Sequence, residues 1–140
     1  MSKGLSYYFK KTIGYIKAVL TFAKFSVKDI LNRLKAANPS FENYPKEISE
    51  GKQGKHIEGH GNYILGRSIL TISISEAQKL VYRYSGRGNQ ISENKERVDF
   101  NRVIGVYKNP STGVSEKTTI GIIHYSKTGT HIVPAQPRKR

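Results

Sequence analysis

The chain has 140 residues, with 24 Lys and Arg against 10 Asp and Glu, a formal charge of +14 at pH 7. That excess predicts a polyanionic partner: nucleic acid, an anionic membrane or an acidic protein. The lack of cysteine excludes disulfides, iron–sulfur clusters and Cys-based zinc sites, while nine Tyr and five Phe leave enough apolar material for a core.

Residues 5–37 predict a long basic amphipathic helix. Phe9, Ile16, Ala23 and Ile30 recur every seven residues, and Ile13, Leu20, Val27 and Leu34 repeat the series offset by four, the spacing of a helical seam. Lys3, Lys10, Lys17 and Lys24 follow an adjacent face, and Asn38-Pro39 stops the pattern. Its longest uncharged run, residues 18–23, is far shorter than the ~20 residues of a bilayer span, and lysines interrupt any signal-peptide core. Packing against its own domain or a neighbouring chain is the expected role; contact with an anionic membrane is the less favoured one. Residues 38–55, with Pro39, Pro45, Gly51 and Gly54, read as a linker. The chain therefore divides into a helical segment over 1–45 and a second domain over 46–140. Residues 1–50 carry nine basic and four acidic side chains, net +5, and residues 51–140 fifteen and six, net +9.

Within the second domain, the glycine-rich stretch 56–66 predicts a structured loop. Ser75 as N-cap opens a short helix over 76–84 with Ala77, Leu80, Val81 and Tyr84 on its apolar face, ended by Gly86-Arg87-Gly88. The period then switches to two. Strands are expected over 98–107, 117–125 and 130–133, joined by turns at 109–113 and 126–129, and such short turns require antiparallel pairing. The fold class is α+β, helices preceding a small antiparallel sheet.

Four histidines are the candidates for chemistry: His56, His60, His124 and His131. The HIEGH spacing at 56–60 lacks the Glu after the first His that a zinc-protease helix needs. HYSKTGTHIVP (124–134) is richer, gathering two imidazoles, Ser126, Lys127, Thr130 and Tyr125 around a tight turn. Alternation puts His124 and Ser126 on one side and Tyr125 and Lys127 on the other. Such a set suits metal-free RNA cleavage: a base for the 2′-hydroxyl proton, an acid for the leaving 5′-oxygen, and a cation for the phosphorane. Histidine serves both proton roles near neutral pH. Gly86-Arg87-Gly88 fits close approach to a phosphate as well as plain helix termination.

The series KQGKHIEGHGNY (52–63), GRSIL (66–70), LVYRYSGRG (80–88), KERVDF (95–100), IGVY (104–107) and IHYSKTGTHIVP (123–134) resembles the bacterial polymorphic toxin type 50 domain, over residues 51–137. The resemblance implies a toxin module of larger secreted or phage-head-associated proteins. It implies an RNase with the BECR-type fold of barnase, EndoU, the tRNase colicins and RelE. By the same resemblance Lys52, Gln53 and His56 come from the opening motif, and His124, Ser126, Lys127, Thr130 and His131 from the closing one. Glu96 is a further candidate. His60 stands where Thr is often expected and ranks below His56.

The expected function is a metal-independent endoribonuclease toxin, needing no cofactor and acting on tRNA or another structured RNA in the target-cell cytoplasm. His56 and His131 form the acid–base pair, in an order the sequence leaves open, with His124 beside them. Lys127 and Lys52 stabilise phosphate charge, and Ser126 or Thr130 positions it. Gln53, Arg87 and Glu96 hold substrate, and Tyr63, Tyr84 and Tyr125 stack bases. Expected partners are RNA, an immunity protein with an acidic face, and a delivery or phage-head protein. One alternative is a non-enzymatic phage-head or mobile-element protein that binds nucleic acid. Another makes the N-terminal helix a membrane effector.

Overall fold

A computed structural model describes residues 41–139; the helix expected over 5–37 lies outside them. The elements are α1 (Glu50–Gly54), β1 (Ile69–Leu70), α2 (Ile74–Tyr84), β2 (Asn89–Ser92), β3 (Lys95–Asp99), β4 (Gly105–Lys108), β5 (Ser115–Thr118), β6 (Ile120–His124) and β7 (His131–Pro134). They build a four-stranded sheet in the order β2-β3-β6-β7 and a three-stranded sheet in the order β1-β4-β5. All pairs within them are antiparallel. Among the described residues the fold is α+β, with more strands than the sequence predicts and one further short helix, α1.

Helix α2 starts two residues early. Its N-cap is Ser73, not Ser75: the Ser73 hydroxyl accepts from the Glu76 amide at 3.1 Å, and the Glu76 carboxylate accepts from the Ser73 amide at 2.9 Å. This is a capping box. Ser75 would need Gln78 for the same arrangement, but Gln78 is engaged elsewhere. Its amide donates to the Lys46 carbonyl at 2.9 Å and accepts from the Ile48 amide at 2.7 Å. Ala77, Leu80 and Val81 are buried as their spacing predicts. Tyr84 packs edge-on against Phe100 at 5.3 Å.

Two expected strands are each broken, which divides one sheet into two. Residues 98–107 split because Asn101 takes φ 56°, its amide bonded to the Asp99 carboxylate at 3.0 Å, turning the chain out of β3. Residues 117–125 split at Thr119, where the chain passes from β5, paired to β4, into β6, paired to β3. The Thr118 hydroxyl secures the crossing, donating to the Ala135 carbonyl at 2.7 Å and accepting from the Ile120 amide at 3.0 Å. Phe100 and Ile104 lie over β6 at Gly121, where a Cβ would come within 2.9 Å of both side chains. The turns at 109–113 and 126–129 form as expected, and β7 begins at His131.

Residues 41–55 are not a loose connection. Phe41 is buried and stacks on Tyr125 with ring centroids 4.5 Å apart, and Tyr44 stacks on the same ring at 5.8 Å. Ile48 bridges in parallel to Thr130, and α1 follows directly.

Candidate active site

Gln53 sets the site's geometry. Its side chain is wholly buried, donating to the Ile132 carbonyl at 2.9 Å and accepting from the Ile132 amide at 2.8 Å, as a neighbouring strand would. This docks α1 on the outer edge of β7. Lys52 and His56 are four residues apart across this turn, so fixing Gln53 brings both to one side, above the closing hairpin. Lys52 Nζ donates to Ser126 Oγ at 2.5 Å and to Thr128 Oγ1 at 2.8 Å.

The hairpin supplies the other half. His124 and His131 are cross-strand partners in register, their rings 4.8 Å apart. His56 also stacks on His131, at 6.0 Å and 20°. Three imidazoles therefore line one wall of a cleft of about 810 Å³. Lys52, Lys55, Arg67, Arg97 and Lys108 stand around it, with Tyr107 of β4 and Pro110 of the turn that follows it.

Ser68 joins the two sides. Its carbonyl accepts from His56 Nδ1 at 2.8 Å, and its hydroxyl accepts from the Lys108 amide at 3.0 Å. A carbonyl only accepts, so Nδ1 carries the proton and Nε2 of neutral His56 keeps its lone pair.

Burial drives all three imidazoles toward the neutral form. For His131 the pKa falls to about 3, first by desolvation and then by His124, His56, Lys52 and Lys55. For His124 it falls to about 4, by desolvation and then Lys95 and His56. His56 is also lowered, by desolvation against the opposing Ser68 bond. His131 Nδ1 is buried with no hydrogen-bond partner.

The model of one protein family, bacterial toxin 50, matches residues 48–134. The chain belongs to the bacterial toxin 50 family. The matched span contains α1, all seven strands and the three imidazoles of the cleft. No curated protein matches the chain. No helix among the described residues is long and apolar enough to cross a membrane.

Of the residues singled out from the sequence, this toxin domain gathers His56, His124, His131, Lys52 and Ser126 at the cleft. Lys127 is exposed at the tip of the turn. Thr130 is fully buried, its hydroxyl donating to the His124 carbonyl at 2.7 Å. His60 stands apart, accepting from the Asn62 amide at 3.0 Å and facing Glu50 at 3.8 Å.

Glu96 and Tyr125 belong mainly to the interior. Tyr125 OH donates to Glu96 Oε1 at 2.6 Å and meets Ser85 Oγ at 2.6 Å. Glu96 also accepts from the Gly86 amide at 2.8 Å and the Gly88 amide at 3.3 Å. The Gly86 and Gly88 amides that would cradle a phosphate thus hold the protein's own carboxyl group, and the Arg87 amide donates to the Tyr84 carbonyl at 3.0 Å. Arg87 is exposed beside a smaller hollow of about 320 Å³, shared with Tyr84 and Arg97. Tyr84 OH donates to the Phe100 carbonyl at 3.3 Å, and the Tyr63 hydroxyl is buried without a partner.

Sequence reasoning missed Ser68, Asn94, Arg97, Tyr107 and Lys108. Their signal was present for β3, where alternation opposite His124 puts Lys95 and Arg97 on its face. Ser68 and Tyr107 stand in the GRSIL and IGVY motifs, but nothing within those motifs marks a site, because chain distant in sequence brings them to the cleft.

Proposed function

We propose that this toxin domain is a metal-independent endoribonuclease that cleaves RNA by transesterification. The observation that carries the reading is the cluster of three imidazoles, His124, His131 and His56, in a cleft rimmed with lysine and arginine.

His56 is the general base, because the Ser68 carbonyl fixes its tautomer and leaves Nε2 to take the 2′-hydroxyl proton. The 2′-oxygen attacks phosphorus, the bond to the 5′-oxygen breaks, and that oxygen takes a proton from protonated His131. A 2′,3′-cyclic phosphate and a 5′-hydroxyl result. His131 is neutral in the empty cleft; a bound phosphate anion raises its pKa and so charges the acid when substrate arrives. Lys52, held by the Ser126 and Thr128 hydroxyls, faces the nonbridging oxygens, and His124 packs against His131 to hold its ring. The rim cations hold the RNA backbone, giving salt-sensitive binding.

The test uses the full chain in EDTA with total RNA and purified tRNA, followed by end-group chemistry. Fragments ending in 2′,3′-cyclic phosphate are expected. Intact RNA that nonetheless binds the folded protein would replace this reading with nucleic-acid binding alone. Because kcat/KM reports the free enzyme and kcat the complex, the kcat/KM optimum lies below pH 6.5 and the kcat optimum at higher pH.

A further inference from the structure

Beyond the histidines the cleft continues over a different surface. On its sheet wall, the row Lys95–His124–His131 is followed two residues along by the row Arg97–Ile122–Val133, in register across the same three strands. Antiparallel strands rise about 3.4 Å per residue, so the rows lie about 7 Å apart. Ile122 and Val133 are half-buried, unlike Ile123 and Ile132, which point the other way and are fully enclosed. Tyr107 from β4 lines the same cleft from the other sheet. Tyr107 is tied to the catalytic wall through its neighbour, since the Lys108 amide is bonded to Ser68, whose carbonyl holds His56. An apolar floor and an aromatic ring stand inside a cationic cleft. A phosphate alone gains nothing from them.

We infer that this part of the cleft is a nucleobase subsite: Ile122 and Val133 form its floor, Tyr107 stacks on the base, and Arg97 stands at its end. The spacing between the two rows is comparable with the span from a phosphate to the base of its own nucleotide. A phosphate beside His131 and Lys52 therefore leaves its base over Ile122 and Val133. The ligand is one unpaired nucleotide of an RNA strand, since a base in a duplex offers no free face for stacking. Of the two tyrosines that line the cleft, Tyr125 is stacked on Phe41 and bonded to Glu96 inside the fold, which leaves Tyr107 to do this.

The inference rests on RNA being the substrate, but its test does not depend on cleavage. Binding of the full chain is measured by fluorescence anisotropy to a 2′-O-methyl RNA octamer, which lacks the attacking hydroxyl, and to an abasic octamer of the same backbone. The wild type should bind the octamer with bases about tenfold or more tightly, from the worth of one base–aromatic stack. Tyr107→Ala should lose most of that preference while binding the abasic octamer unchanged, and Tyr107→Phe should keep it. Lys52→Ala should weaken both octamers alike. Equal wild-type affinity for the two octamers, or equal losses for both in Tyr107→Ala, overturns the subsite. Cleavage of unmodified RNA by the wild type is scored separately: its absence sinks the nuclease reading and leaves the subsite measurable.

Discussion

On one face of β3, β6 and β7, Glu96, Ile123 and Ile132 lie in register and lose all contact with water. On the other face Lys95, His124 and His131 lie in register, and the two histidines line the cleft. Both faces bury groups able to carry charge, and they do so differently. The Glu96 carboxyl group is bonded to two amides and a phenol, so its polar atoms are satisfied inside the core. The imidazoles have few partners and shed their protons instead. One face uses a polar group to close the fold, and the other keeps groups whose protonation a ligand can change.

The largest expected effect is on the cleft face. His131→Ala should lower RNA cleavage by roughly 10²–10⁴-fold, the range for a general acid, while circular dichroism shows a folded protein. An unchanged rate would remove His131 from the reaction. Glu96→Ala attacks the core face and takes the acceptor from the Gly86 and Gly88 amides and one of two partners from the Tyr125 hydroxyl, so it should cost roughly 3 kcal/mol in urea unfolding. A mild loss would mean that water replaces the carboxyl group.

Next in size, Lys52→Ala should reduce kcat by about a hundredfold, as loss of a donor to a developing oxyanion does. Lys127→Ala, at the exposed tip of the turn, should change it much less. A reversed order would place the turn tip on the phosphate.

Acid should separate the faces without mutation. His124 and His131 titrate below the unfolded value of about 6.5. Unfolding therefore takes up protons, and the stability they contribute is complete above pH 6.5. It is lost as the pH falls through about 4 and then about 3. Urea midpoints should drop over this range, and the drop should shrink in His124→Asn/His131→Asn. The smallest effect belongs to Thr130→Val, which removes one bond to the His124 carbonyl and should cost about 1 kcal/mol of stability. Its cleavage rate should stay near wild type; a large fall in kcat would put the hydroxyl on the substrate.

Local pattern was enough for the closing hairpin. The alternation in residues 124–127 puts His124 and Ser126 on one side and Tyr125 and Lys127 on the other; the structure buries Tyr125 against Phe41 while the His124 ring meets His131, and Lys127 is exposed in the turn. The apolar face of α2 was equally legible, while its cap was misplaced because Gln78 is committed to residues 46 and 48. Residues 98–107 and 117–125 read as unbroken strands because a change of sheet leaves the period almost untouched. Glu96 and Gln53 looked like binding residues because a polar side chain carries no mark in the sequence of the partner that buries it.

By itself the sequence determined the charge excess, the antiparallel hairpin, the face on which its histidines stand, and the motif series that resembles the toxin family. These are matters of composition and of neighbours a few residues apart, which strand alternation and turn chemistry fix directly. Only the tertiary structure decided that His56 joins His131, that Ser68 fixes its tautomer, and that Tyr107 faces the cleft. Those contacts depend on Gln53 docking a short helix on β7 and on the crossing at Thr119 between two sheets. Both are long-range pairings, set by which buried hydrogen bonds and side chains fit together.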